Sequence, residues 1–348
     1  PVETTHTAVV IETQVPARQL SDIVNFHLIL LCMSIEKVLV IGAGGQLGAE
    51  LTRGLWRMHG KQNVMATDVK PAEGVLATGD FEVLDVLDAA RLGSLISKNR
   101  FSRIYHLAAV LSATGEKNPK LAWQLNIDGL INVLDAAVDH QVSRVYWPSS
   151  IAAFGPTTPK IKTPQDTIMD PATVYGISKL AGERWCEWYF KNKGLDVRSL
   201  RYPGLIGYKT RPGGGTTDYA VDIFFKALTE KKYTCFLKPD TYLPMMYMDD
   251  AVKATLQLMD APPSAVKVRS SYNVTGMSFC PADVAKEIQK FIPDFEIHYA
   301  PDFRQAIADS WPKSINDTPA RIDWGWEPSF NLDDMAADIL KNLPALLS

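Results

Sequence analysis

From Lys37 onward the chain alternates between short apolar runs and longer segments of helical period. Lys37-Val38-Leu39-Val40-Ile41 is nearly continuous in apolar residues, the pattern of a strand buried on both faces. A helix is expected from Gln46 to about Met58, a second strand over Asn63–Thr67 and a third over Phe81–Val86. Asp88 is placed to cap a helix ending near Asn99. Arg103–Ala108 reads as the fourth strand, Leu121–His140 as a long helix and Arg144–Trp147 as the fifth strand. A helix over Val174–Lys191 and a sixth strand over Asp196–Tyr202 follow. Such alternation implies an α/β fold, a doubly wound parallel sheet with helices on both faces.

The texture changes after Pro203. Arg211-Pro212-Gly213-Gly214-Gly215 reads as a loop. Helices are expected at Asp218–Thr229, Asp249–Asp260 and Pro281–Phe291, with short strands at Tyr233–Leu237, Ser271–Val274 and Phe295–Tyr299. Residues 35–203 are therefore expected to form a nucleotide-binding Rossmann domain, and 204–348 a smaller α/β portion over the sheet edge. Residues 1–34 lack periodicity and read as an N-terminal extension, with Met33 as the expected functional start. An arm packed on the fold is the alternative.

Composition narrows the class. Apolar residues make up 46% and charged residues 22%, a soluble globular mix, and the net charge of -3 offers no basic excess for nucleic acid or an anionic membrane. The apolar run at Ile23–Met33 is too short to span a bilayer. Cys32, Cys186, Cys235 and Cys280 are scattered, without metal-ligand spacing. That points to a reducing compartment and no structural metal. The cytoplasm is the expected location, or the mitochondrial matrix in a eukaryote. Sequons at Asn273 and Asn316 read as chance matches.

Candidate chemistry begins at the end of strand one, with Gly42-Ala43-Gly44-Gly45-Gln46-Leu47-Gly48. Between a buried strand and an amphipathic helix, Gly42 permits a tight turn and Gly45 admits a pyrophosphate to the helix N-terminus. Gly48 allows close helix–strand packing. Gln46 and Leu47 belong to the same turn. Asp68, 20 residues beyond Gly48, stands where an acid accepts hydrogen bonds from an adenosine ribose and disfavours a 2′-phosphate, so NAD is expected. Asp85 and Val86 are candidates for the adenine edge.

Tyr175-Gly176-Ile177-Ser178-Lys179 puts a phenol and an ammonium on one helix face. A phenol is a weak base at neutral pH, and the nearby Lys179 charge and an oxidised nicotinamide are both expected to favour the phenolate. Ser149-Ser150 closes the preceding strand. Three polar groups then converge at the carboxyl ends of parallel strands, where such sheets bind ligands.

This combination resembles the extended branch of the short-chain dehydrogenase/reductase superfamily, from about Lys37 to Leu343. The resemblance implies Tyr175 as general base, Lys179 on the cofactor ribose and Ser150, aligned from Phe154-Gly155, on the reacting oxygen. It implies that Leu107, Ala108 and Ala109, Tyr202 and Leu205 line the cofactor. Leu111 to Pro119, Trp147-Pro148-Ser149-Ser150, Pro203-Gly204-Leu205, Gly213 to Ala220, Pro244 to Asp250 and Asp302 to Pro312 are similar to the L-threonine 3-dehydrogenases of that superfamily. That implies oxidation of a threonine C3 hydroxyl, with the amino-acid end near Ser112, Gly215 and Thr216 under Trp311. A carboxylate would suit the amides of the glycine-rich loop.

A nucleotide-sugar epimerase or dehydratase is the rival on the same fold. It needs cations for a diphosphate, and Arg201, Arg211 and Arg304 lie far apart in sequence. A non-catalytic NAD sensor would be expected to lack the base. Trp123, Leu130, Trp185, Trp188 and Phe190 give two helices apolar residues on more than one face, from which a homodimer is expected.

Overall fold

The first apolar run forms β1 (Val38–Ile41), all four side chains buried, in a computed structural model that describes residues 36–211 and 215–347. The expectations for residues 1–34, for Gly213 and for Gly214 lie outside the described residues. β1 turns into α1 (Gln46–His59) and then β2 (Val64–Asp68) and β3 (Asp80–Val83). β3 is shorter than the apolar pattern suggests. Leu84 still donates its amide to the Asp68 carbonyl, and the chain then leaves the sheet. α2 (Ala89–Asn99) begins on Asp88, whose carboxylate accepts from the Arg91 amide. β4 (Arg103–His106) ends two residues before the expected Ala108.

A short helix, α3 (Ser112–Lys117), precedes α4 (Pro119–Trp123) and α5 (Gly129–Asp139). A π-helical turn over Gln124–Asp128 joins those two, so the expected long helix carries one widened turn. β5 (Arg144–Ser150), α6 (Val174–Lys193) and β6 (Asp196–Tyr202) complete the alternating half. The sheet order is β3-β2-β1-β4-β5-β6-β10, with β10 being Tyr272–Asn273, and all strands are parallel. The order reverses between β1 and β4, which opens a crevice at their carboxyl ends.

Residues after Pro203 are not segregated from this sheet. β7 (Gly204–Ile206) follows β6 almost directly; α7 (Tyr219–Glu230), β8 (Lys232–Cys235) and β9 (Leu243–Tyr247) come next. α8 (Met248–Asp260) packs on α1 with Ala251, Val252 and Leu258 in the core that also holds Val38, Leu51 and Leu55. β10 (Tyr272–Asn273) adds the seventh strand beside β6. The residues from Lys37 onward form one compact unit.

The remainder builds two small sheets over the crevice. β9 pairs parallel with β7 and antiparallel with β11 (Met277–Phe279), while β12 (Glu296–Tyr299) pairs parallel with β8. α9 (Pro281–Phe291), α10 (Arg304–Ser310), α11 (Thr318–Trp324), α12 (Leu332–Asn342) and α13 (Pro344–Leu347) complete the chain. No described helix is long and apolar enough to cross a membrane. Asn273 is fully buried, with its side chain bonded to Arg201 and to the Thr163 and Asn316 carbonyls, so that sequon is closed.

Candidate active site

A cleft of about 470 Å³ runs from the glycine turn to Trp311. Gly42 takes a φ of 82°, and a Cβ there would lie 2.4 Å from the Ala108 amide nitrogen, so the turn presses on the end of β4. A Cβ at Gly48 would lie 2.4 Å from the Gly42 carbonyl oxygen, while one at Gly45 would meet only that oxygen, at 3.6 Å. α1 starts on Gly45 with no side-chain cap and no acid in its first turn. Its first amides therefore face the cleft without a side-chain anion, which suits a phosphate.

Asp68 stands behind this turn. Its carboxylate accepts from the Gly44 amide at 2.9 Å and the Lys70 amide at 3.1 Å. Gln46 donates to the Arg211 carbonyl at 3.1 Å, and Lys209 pairs with Glu50 at 2.6 Å, which ties residues 209–211 to α1. Leu47, Leu107, Ala109, Tyr202 and Leu205 also line the cleft. The Tyr202 hydroxyl faces away, bonded to Tyr146 and Thr255. Asp85 and Val86 stand apart from these walls. Asp85 accepts from the Leu87 amide, and Val86 is buried against Gly129.

The catalytic candidates meet at the carboxyl ends of β5 and α6's first turn. Thr173 caps α6 by accepting from the Gly176 amide. Gly176 lies so close to the Ile151–Ala153 turn after β5 that a Cβ would be 2.1 Å from the Ala152 carbonyl oxygen. That contact brings Tyr175 to Ser150, whose hydroxyl is within hydrogen-bonding reach of the phenol. Ser149 is engaged elsewhere, donating to Glu183 at 2.6 Å. Lys179 is buried, donates to the Pro148 carbonyl at 2.6 Å and lies 5.4 Å from the centre of the Tyr175 ring.

In the protein by itself the Tyr175 pKa is set by burial and by Ser150, without the nicotinamide charge that the expectation includes. Burial pushes Tyr175 up to about 12, and the Ser150 hydrogen bond opposes it only in part. Burial also pulls Lys179 down to about 7, against Cys186 and Glu183. Desolvation penalises the charged form of both groups. Formation of a phenolate therefore depends on charge brought into the cleft.

At the other end, Ser112 opens α3, and Trp311 follows α10; both are buried at the cleft wall. The Thr216 hydroxyl is buried and has no hydrogen-bond partner among the described residues. Gly215 lines the cleft beside Thr216, with its own amide donating to Asp218 at 2.8 Å. The segment bearing Trp311 is pinned from behind. Lys160 donates to the Ser310 carbonyl, and Thr163 pairs with Ile315.

Sequence reasoning missed two features of the site. Arg211 lines the cleft, whereas Arg201 is buried on Glu183 and Arg304 is paired with Asp302. Asn126, in the π-helical turn, bonds both backbone groups of Val110 and the Ser178 hydroxyl, which fixes the loop after β4 to α6. The widened turn that aims it leaves no mark on apolar periodicity. No metal-binding cluster occurs among the described residues.

The glycine turn, the uncapped helix and Asp68 fit a dinucleotide, and residues 38–275 match the model of the NAD dependent epimerase/dehydratase family. The chain belongs to this family. NAD is its cofactor. An uncharacterized epimerase/dehydratase of Staphylococcus saprophyticus is 47% identical over 309 residues, covering 88% of this chain and 96% of that one. Two solved structures are each 55% identical. A partial consensus L-threonine 3-dehydrogenase superposes with a TM-score of 0.87 over 89% of this chain and 99% of its own. The holo form of a GalE-like L-threonine dehydrogenase from Cupriavidus necator superposes with a TM-score of 0.86 over 88% and 99%.

Proposed function

We propose that the chain oxidises the C3 hydroxyl of L-threonine to give 2-amino-3-oxobutanoate. The observation that carries this reading is the Tyr175–Ser150 pair on the same cleft as the unpartnered Thr216 hydroxyl. The likeness to structures named for threonine dehydrogenases, across nearly 90% of the chain, supports it.

Bound NAD would supply the hydride acceptor and a positive charge in the cleft that Tyr175 lines. Tyr175, as phenolate, takes the hydroxyl proton. Ser150 accepts from the Ala152 amide, which leaves its own hydrogen to hold the reacting oxygen. Lys179 directs its ammonium to the ribose. Ser112 and Thr216 receive the amino-acid end, and Trp311 covers it.

Mixed with NAD, the protein should produce NADH absorbance with L-threonine faster than with serine, allo-threonine or 3-hydroxybutyrate. Absence of NADH, together with NAD that stays bound through turnover of a nucleotide sugar, would favour the epimerase/dehydratase reading.

Asp68→Ala should weaken NAD by about 1.5–3 kcal/mol and relax discrimination against NADP, because a charged acceptor is lost. Equilibrium titration checks this; unchanged affinity would make Asp68 a turn residue only.

We also propose a homodimer through α4 and α6. Trp123 and Leu121 on α4, and Ile177, Trp185 and Trp188 on α6, are exposed in one chain, whereas Leu130 is fully buried in the core. Light scattering should give twice the chain mass; a monomer at micromolar concentration contradicts the proposal.

A further inference from the structure

His106 closes β4 with its side chain fully buried, yet neither ring nitrogen has a hydrogen-bond partner among the described residues. A buried polar group of this kind is costly unless something satisfies it. Its direction follows from the register. Ile41 lies opposite His106 on β1, and the Tyr105–Tyr146 pairing sets His106 beside Trp147 on β5. Ile41 and Trp147 both point into the core under α2, α5 and α6, so the imidazole enters that layer too.

Lys179 reaches the same place, its ammonium 4.4 Å from the centre of the Trp147 ring. An ammonium has three donors, and the Pro148 carbonyl is the acceptor recorded for this one. Spare donors and a spare acceptor thus share one buried layer. They are close enough for the Lys179 charge to add to burial in holding His106 neutral, down to about 3. No direct hydrogen bond joins them among the described residues, and a buried water is the usual means of joining such a donor and acceptor.

We infer that His106 is a positioning residue for Lys179, whose ammonium donates to the neutral imidazole through one buried water. The groups that face Lys179 are Tyr175, Glu183 and Cys186 from α6 and His106 from β4. The Cys186 thiol is pushed far up by burial, so Glu183 is the partner that raises the lysine, and His106 adds a neutral acceptor beside it. Removing the imidazole acceptor should let Lys179 lose its proton at lower pH.

The test compares His106→Leu with His106→Asn, which keeps an amide acceptor. The kinetic arm rests on the threonine dehydrogenase reading; NAD titration against pH does not. In His106→Leu the alkaline midpoint of NAD binding should fall by about half a pH unit or more. The threonine kcat should fall about tenfold with KM little changed. His106→Asn should recover most of both. If the parent protein makes no NADH from threonine, the functional reading fails, and the NAD titration still decides this one. A leucine variant with the parent's NAD–pH profile overturns the inference. So does an asparagine variant as impaired as leucine, since that is the mark of packing alone. Where leucine misfolds, His106→Met is read in its place.

Discussion

Tyr175→Phe should reduce threonine turnover by about 10²–10⁴-fold while leaving NAD affinity close to that of the parent. The ring stays packed against the core that holds Ile151, Phe154 and Tyr219, and the deleted oxygen interacts with the Ser150 hydroxyl alone among side chains that shift its pKa, so the fold is barely disturbed. Ser150→Ala should cost less, because it orients the oxygen and takes no proton. The pH dependence has a fixed sign. A phenol raised to about 12 is protonated at neutral pH, so the active fraction must grow with pH even after bound charge lowers that value. Stopped-flow measurement of NADH formation between pH 6 and 9 should show a rising kcat. A phenylalanine variant with near-normal kcat would mean that the proton goes elsewhere.

Glu183→Ala should be the most destabilising single change in the catalytic helix, by about 3–5 kcal/mol. Glu183 and Arg201 are almost fully buried and joined by two hydrogen bonds of 2.8 Å each. Removal of the carboxylate strands the guanidinium on the Gln165 carbonyl and Asn273, with no counter-charge in contact. A thermal midpoint lower by roughly 10 °C is expected from the usual relation of stability to melting. The double change Glu183→Leu with Arg201→Met should recover much of this, because the penalty comes from the orphaned charge. A single variant melting with the parent, or a double variant no better than the single, would defeat the argument.

The parts of the molecule legible in the sequence are those with a strong local signal. β1, the glycine turn and α1 follow from one buried apolar run broken by glycines. β6 and α9 occur at their expected bounds because polar or capping residues punctuate both ends. The small sheets were less visible. β7 has three residues, and β9 carries Pro244 in a pairing whose partner, Ser278, lies far along the chain. α12 carries a weak signal in sequence although Asn331 caps it. At the site, Tyr175, Lys179 and Ser150 were legible from spacing and resemblance. The bond from the Gly215 amide to Asp218 was not, because a three-residue turn decides it. Nor was His106, which in sequence is one more residue of an apolar strand.

The seventh strand has a consequence for how the molecule is made. β10 lies about 70 residues after β6, yet Tyr272 and Asn273 pair with Leu200 and Arg201, and the Ser199 and Ser271 hydroxyls share a hydrogen bond. A nascent chain that has reached only Pro203 would leave β6 as an open edge, with Arg201 lacking Asn273 and Leu200 lacking the cover of α8. The nucleotide-binding half cannot finish folding as it leaves the ribosome. It must wait until Asn273 has emerged, and until then its edge is the part of the chain most open to capture by chaperones or by another copy.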